Sequence, residues 1–262
     1  MSALLYSDAN ISRESLAHVP TPGAMGRFHQ PYSFSDYVDN VEESLDRVGL
    51  QILNQEFEVT PDRQSFFGAL EVAPSVLEGE LIPADSDYKL LVGVRGSHNQ
   101  RIPRGLVLGS QVMVCSNLCF SGNIGQFVSK QTKYLHRRLP GLINNVVAQI
   151  PELAELQHQK FDAYKEFEFD NPRAGDAALV EIFRQGGLSA AQLGKAVREY
   201  DKPSHDEHAA HGNSVWRVFN AVTESLKPGG ANVNHNLIAN RTEIADRFLS
   251  NLVGLGEQRL AA

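Results

Sequence analysis

Hydrophobic positions are spaced in two different ways along the chain. In the first half, short runs rich in Val, Leu and Phe are separated by turn residues, as is typical of β-strands. Those runs cover residues 56–59, 65–72, 88–94 and 106–114. In the second half, apolar residues recur every three or four positions, which predicts helices over residues 151–169, 176–185, 189–200, 213–226 and 234–252. The pattern predicts an α+β fold, with a mainly antiparallel sheet in the N-terminal half and helices in the C-terminal half.

The chain before the first predicted strand has two parts. Residues 1–33 contain several prolines and glycines with little periodicity, which predicts an extended N-terminal arm. Residues 35–53 predict a helix with Ser35 as its N-cap and a stripe formed by Val38, Val41, Leu45, Val48 and Ile52. We therefore expect an arm followed by one α+β domain over residues 34–262, sheet-rich over 56–126 and helical over 127–262.

The composition is that of an ordinary globular protein, with 262 residues of which 42% are hydrophobic. No apolar run has the length of about 18 residues that a membrane span needs, and the N-terminus lacks the pattern of a signal peptide. Apolar neighbours favour Cys115 and Cys119 as small core residues. With only two cysteines, we expect a cytoplasmic protein, including the cytoplasm of an infected host cell.

The charges are distributed unevenly. Between Asp87 and Glu152 lies a stretch of 64 residues, 88–151, without one acidic side chain. It carries eight basic residues, whereas the remaining 198 residues hold 16 basic and 31 acidic side chains, a balance of −15. A local basic surface can bind an anionic partner even when the whole molecule is acidic. The alternative is that the gap arises by chance or from burial of the segment.

The segment from residue 128 to 139 is the best-defined candidate site. If it is helical, Val128, Thr132, Leu135 and Leu139 form a core-facing stripe. The opposite side then presents Lys130, Lys133, Tyr134 and Arg137, with Arg138 at its edge. Cations can bind phosphates while a tyrosine stacks on a base, which suits single-stranded nucleic acid. The alternative is an ordinary solvated helix face.

The second candidate is the polar stretch between two predicted strands, residues 95–104. It offers Arg95, Arg101 and Arg104 with no acidic side chain, and we expect it to be an exposed loop. Arginine suits phosphate binding and base stacking because its guanidinium is planar and carries several donors. A plain polar hairpin loop is the alternative.

Signatures of catalysis and of metal binding are weak. His205, His208 and His211 share a helix face only loosely, so we expect a polar helix entry there and no metal. Glycine-rich phosphate loops and a nucleophile signature are absent from the sequence. We therefore expect neither an enzyme nor a cofactor.

Two stretches resemble a domain family of unknown function found in phages and plasmids. Residues 114–122, VCSNLCFSG, are similar to its V-C-x-N-x-x-x-x-G signature, and residues 214–224 with 240–242 resemble its late W-x-x-x-N-A-x-T-E segment. The chain also resembles phage single-stranded-DNA-binding cofactors of a phage RNA polymerase. That resemblance implies a fold unlike the OB barrel, a polymerase partner and a role at melted promoters. Trp216 and Asn220 lie one helical turn apart and are expected to dock the C-terminal helices.

Two hypotheses remain open at this stage. The first is a protein that binds single-stranded DNA in phage transcription or replication and that self-associates on DNA. The second is a protein-interaction module, such as an anti-defence inhibitor of a host protein. Titration with labelled single-stranded and duplex DNA separates them.

Overall fold

The computed structural model describes residues 4–5, 10–74, 88–112, 117–120, 126–227 and 235–255. Within that part of the chain, one antiparallel sheet runs in the order β1-β2-β3-β4-β5-β6, and β7 also pairs with β5. The strands are β1 Asn10–Ile11, β2 Leu50–Val59, β3 Ser65–Pro74, β4 Tyr88–Ser97, β5 Arg104–Val112, β6 Asn117–Phe120 and β7 Gln126–Ser129. The prediction of an antiparallel sheet in the N-terminal half is confirmed.

The helices are concentrated in the second half, as predicted. They are α1 Arg13–Ala17, α2 Phe34–Arg47, α3 Leu135–Val147, α4 Ile150–Glu166, α5 Pro172–Arg184, α6 Ala190–Asp201, α7 Asp206–Ala210, α8 Val215–Leu226 and α9 His235–Leu252. Ser189 caps α6 and forms a reciprocal pair of hydrogen bonds with Gln192, which fixes the start of that helix. None of the described helices is long and apolar enough to cross a bilayer.

Helix α2 is shorter than predicted and is capped by Ser33, not Ser35. It ends at Arg47 because Gly49 adopts a left-handed backbone, with φ of 75°, which is a common way to end a helix. The residues after Gly49 alternate as a strand does, so β2 begins at Leu50, six residues before the predicted start.

The sheet is covered on both faces. On one face, α2, α3 and the start of α4 pack over the apolar side chains of β2 to β5. On the other face, Ala239 of α9 joins Leu4, Leu5 and Phe67 in a smaller cluster. A third cluster lies between α4, α5, α6, α8 and α9. Because α4 and α9 each contribute to two clusters, the helices are tied to the sheet.

The N-terminal segment is packed, which differs from the extended arm expected from its composition. Leu4, Leu5 and Leu16 are buried, and strand β1 pairs with β2. Apolar side chains at wide spacing gave no periodic signal, yet each finds a place in a core whose partners lie far along the chain. The segment is thus part of the folded body.

The expected structural role of Trp216 and Asn220 is confirmed. Trp216 is buried in the helical cluster, with its ring 4.9 Å from that of Phe161 and 5.7 Å from that of Phe219. Asn220 Nδ2 donates to the carbonyl of Trp216. Cys115, in contrast, lies outside the described residues, and Cys119 is a residue of strand β6 that pairs with Ser110 of β5.

Candidate nucleic-acid interface

Arg104 is not on the surface, so its assignment to an exposed loop is wrong. It is the first residue of β5, and its side chain is fully buried. The guanidinium carbon lies 4.7 Å from the ring centre of Phe34 and 5.2 Å from those of Tyr37 and Phe66. Gly96 leaves the room for it, because a Cβ there would come within 2.7 Å of Arg104 Cδ. Arg104 stabilises the packing of α2 on the sheet through these cation–π contacts.

Arg95 and Arg101 lie in separate places. Arg95 is a half-buried residue of β4 on the opposite face of the sheet from Arg104, and its Nε would be 3.4 Å from a Cβ at Gly105. Arg101 is exposed in the β4–β5 loop. It adds to the lowering of the pKa of Asp62, whose main cause is the hydrogen bond from Thr60. The three arginines therefore do not form one cluster, and only Arg101 belongs to the exposed loop.

The predicted helix over residues 128–139 is also incorrect in its first half. Residues Gln126–Ser129 form strand β7 on β5, and helix α3 begins only at Leu135. Leu135 and Leu139 are buried as expected, but Val128 is 53% exposed and Thr132 is exposed. Phe127 and Val128 alternate between buried and exposed sides, which is the period of a strand. Over so few residues the helical and the strand period cannot be distinguished, and pairing with β5 determines that this run is a strand.

The basic residues of this segment nevertheless stay together on the surface. Lys130, Lys133 and Tyr134 lie in the connection between β7 and α3, and Arg137 and Arg138 lie in the first turn of α3. All five side chains are exposed. They form one basic stretch, although not through the helical spacing that was predicted.

A second segment joins this stretch from the N-terminal part of the chain. His29 forms an antiparallel bridge with Thr132, and the amide of Lys133 donates to the carbonyl of Phe28 at 3.1 Å. This pairing places Arg27 and Phe28 beside Lys130, Lys133 and Tyr134. The Phe28 ring is 71% exposed, and the Arg27 guanidinium carbon lies 5.4 Å from its centre.

Two exposed aromatic rings, each with a neighbouring cation, therefore mark this surface. Tyr134 is 57% exposed, and Lys133 Nζ lies 5.8 Å from its ring centre. We call the set the basic–aromatic surface; its members are Arg27, Phe28, Lys130, Lys133, Tyr134, Arg137 and Arg138. Arg27 and Phe28 could not be recognised from sequence, because an isolated Arg-Phe pair in a segment rich in Gly and Pro resembles any loop.

A pocket of about 360 Å³ opens at the edge of this surface. Its lining comes from three segments and comprises Phe28, His29, Ser97, Gln100, Ile102, Pro103, Lys130, Gln131 and Thr132. None of the described residues that line it is acidic. The pocket therefore combines apolar faces with neutral polar groups and one cation, Lys130.

Internal hydrogen bonds hold the inner wall of the pocket. His29 places Nδ1 3.0 Å from the carbonyl oxygen of Gln131 and Nε2 2.7 Å from that of His98. The side chain of Gln131 donates to the carbonyl of Ser97 and accepts from the amide of Tyr32. These bonds connect three distant segments, so the wall is formed before any ligand arrives.

His205, His208 and His211 of the helical half lie at and within the short helix α7. No three His, Cys, Asp or Glu side chains in the described part of the chain are placed to hold a metal ion. His208 is buried, and neither of its ring nitrogens has a hydrogen-bond partner among the described residues. Burial, assisted by the charge of His205, lowers the pKa of His208 to about 4. The ring is therefore kept neutral.

This burial predicts a loss of stability in acid. The folded protein disfavours the proton on His208, whereas the unfolded chain binds it below about pH 6.5. The free energy of unfolding should therefore fall by about 1 kcal/mol per pH unit between pH 6.5 and 4 on account of this residue. Urea titrations of the parent and of His208→Leu, at pH 7 and 4.5, should show a smaller acid loss in the variant. The exposed His18→Leu serves as control, and an equal acid loss in all three proteins would contradict the prediction.

Comparison of this chain with family models, with curated proteins and with solved structures found no match. The resemblance to the phage and plasmid family, and the polymerase partner that it implies, stay predictions.

Proposed function

We propose that the protein binds single-stranded DNA on the basic–aromatic surface. The observation that carries the proposal is the pair of exposed rings, Phe28 and Tyr134, set among exposed cations. Aromatic rings offer stacking to unpaired bases, while neighbouring Lys and Arg side chains bind the phosphates. A duplex has its bases stacked inside, so the rings have nothing to bind there. Single strands should therefore bind more tightly than duplex DNA.

The start of helix α3 supports an anionic partner. Its N-cap residue, Tyr134, makes no side-chain capping bond, and its first turn contains no acidic residue. The positive end of the helix dipole and the adjacent Arg137 and Arg138 repel each other without an anion. A phosphate group placed there relieves that repulsion.

The acidic remainder of the molecule confines the DNA to this surface. Outside residues 88–151 the balance is −15, so a strand of phosphates is repelled elsewhere. Arg27 is the one cation of the surface that lies outside the acid-free segment. The expected arrangement is a short contact of a few nucleotides.

The biological setting belongs to the same proposal. The family resemblance supports a phage protein that works in the host cytoplasm, either in transcription by recruiting a phage RNA polymerase to melted promoters or in replication. Several copies associating along one strand would cover a longer single-stranded region.

A protein-interaction module is the second candidate, because the surface also exposes apolar side chains that DNA does not need. Met25 and Val128 are 42% and 53% exposed. An anti-defence inhibitor of a host protein would use such side chains. A direct DNA titration separates the two candidates, because only the first predicts binding of single strands.

The salt dependence of binding measures the phosphate contacts. Five exposed cations on the surface predict that log K falls with log salt with a slope of about −3 to −4. In the Lys130/Lys133/Arg137 triple Ala variant the slope should become less steep by about 2. The control is the Arg173/Arg184/Lys202 triple Ala variant, which removes the same charge from exposed positions of the helical half. Fluorescence titration of a labelled oligonucleotide at several salt concentrations gives both slopes. Equal binding by the parent and a correctly folded Lys130/Lys133/Arg137 variant would exclude this surface.

Stacking predicts a different signature. Phe28→Ala and Tyr134→Ala should each weaken single-strand binding by roughly 1–3 kcal/mol while the salt slope stays that of the parent. Phe183→Ala changes a phenylalanine of α5 that is 37% exposed; it is the control and should bind as the parent does. If both ring variants bind normally, DNA does not stack on this surface.

A further inference from the structure

The pocket beside the basic–aromatic surface has an inner wall held by hydrogen bonds, and three of its polar side chains make none with the described residues. His29, Gln131 and Ser97 use their side chains in internal hydrogen bonds. The side chains of Gln100, Lys130 and Thr132 also line the pocket. In the part of the chain that the structure describes, these three have no hydrogen-bond or ion-pair partner. The groups available to a ligand are thus one amide, one ammonium and one hydroxyl.

Gln100 adopts a backbone conformation that does not favour glutamine. Its φ is +66°, in the left-handed region where glycine is at ease and a residue with a Cβ is strained. Strained residues of this kind cluster at ligand-binding sites, where the side chain is needed in that position. Glycine at position 100 would relieve this backbone strain. The presence of glutamine therefore points to a role of its amide group in binding.

We infer that this pocket is a binding site for one nucleotide unit with an unpaired base. The inference rests on the proposed function when the nucleotide belongs to a bound strand. The Gln100 amide contacts the base edge, the exposed face of Phe28 stacks on the base, and Lys130 binds the adjacent phosphate. A volume of about 360 Å³ lies within the range of small-ligand sites.

The chemistry of the lining favours a base over an acidic peptide. A carboxylate needs only cations, whereas the amide of Gln100 offers a donor and an acceptor side by side. That arrangement matches the paired donor and acceptor atoms on the edge of a base such as adenine. Ile102 and Pro103 supply apolar contact on the remaining side. A carboxylate side chain only accepts hydrogen bonds, so it would leave the acceptor of the amide unused.

Gln100→Gly is the decisive variant, because it separates stability from binding. Glycine relieves the backbone strain, so the melting temperature should stay equal or rise. Affinity for an adenine-rich single strand should nevertheless fall by about fivefold to tenfold, as expected for the loss of one amide–base pair. A variant that binds as tightly as the parent overturns the inference.

Arg63→Gly is the matched control. Arg63 also has a positive φ, of 55°, but it lies in the β2–β3 turn outside this pocket. Its loss removes a charge, so affinities are compared as the ratio between adenine-rich and thymine-rich strands, which a lost phosphate contact leaves unchanged. That ratio should fall in Gln100→Gly and stay constant in Arg63→Gly. A constant ratio in both variants contradicts the role of Gln100.

Free nucleotides distinguish the possible sources of the ligand. Deoxyadenosine monophosphate should compete with the strand and shift the side-chain amide resonances of Gln100, while deoxyribose 5-phosphate should do neither. Strand binding without any effect of the mononucleotide or of Gln100→Gly rejects the pocket and leaves the proposed function standing. Mononucleotide binding that Gln100→Gly weakens, without strand binding, supports the pocket and rejects single-stranded DNA as its source. If neither probe binds, both proposals fail.

Discussion

Replacing Asp246 with Ala is expected to lower the free energy of unfolding by about 3–5 kcal/mol, because it removes one charge of a buried ion pair. Lys160 Nζ of α4 lies 2.9 Å from Asp246 Oδ2 of α9, and both side chains are buried. Tyr164 donates to the same carboxylate, and its hydroxyl lies 2.8 Å from Ser250 Oγ. The cluster joins two helices through charge-assisted hydrogen bonds. Urea titration followed by circular dichroism measures the loss.

Two further variants test the cause of that loss. Glu43→Ala breaks the Arg47–Glu43 ion pair, whose side chains are mostly exposed, and should cost no more than about 0.5 kcal/mol. The double variant Lys160→Met/Asp246→Leu removes both buried charges and should recover most of the stability lost in Asp246→Ala. If the double variant is as unstable as the single one, shape and not charge holds the helices together.

Arg104→Ala should cost a similar amount, about 3–5 kcal/mol, because a large buried side chain is lost from the core between α2 and the sheet. The residue stacks on three aromatic rings and donates to the carbonyl of Tyr32. Burial lowers its pKa to about 9, which shows how strongly the core disfavours its charge. The free energy of unfolding at pH 7 is the measurement.

Arg104→Met separates packing from charge. Nε and Nη1 of Arg104 have no hydrogen-bond partner among the described residues, so the charge is poorly compensated. Methionine fills much of the same space without that cost and should be less destabilising than alanine by about 2 kcal/mol. Arg95→Met, on the other face of the same hairpin, is the control. The folded Arg104→Met protein should also bind single strands with the parent's salt slope. A salt slope less steep than that of the parent would mean that Arg104 contacts the DNA.

Periodicity over long segments made much of the fold predictable. The strands around residues 65–72 and 88–94 and the C-terminal helices were found because their apolar residues repeat several times. The start of the helix predicted over residues 189–200 was also located correctly, since Ser189 caps α6. Errors fell where a pattern covered only a few residues, as at Val128 and Ile52, and there sheet pairing set the local structure.

The candidate site was predictable only in part. The acid-free segment pointed to Lys130, Lys133 and Tyr134, which do lie together on the surface. Arg104 was wrongly predicted to be exposed because the sequence does not show whether an arginine is buried. Its burial becomes evident only from the three aromatic rings that surround it in the fold. Phe28 was missed because its position depends on pairing with a segment about a hundred residues later, which local patterns do not encode.

That pairing also determines the stage of folding at which the basic–aromatic surface forms. His29 reaches a carbonyl 102 residues ahead of it, and the amide of Tyr32 reaches a side chain 99 residues ahead. During synthesis on the ribosome, the N-terminal segment therefore emerges long before its partners do. Contacts between such distant residues form late in folding, so a nascent chain has the strands of the sheet before it has the pocket. Under the proposed function, a growing chain could therefore bind nucleic acid at this surface only once the sheet is nearly complete.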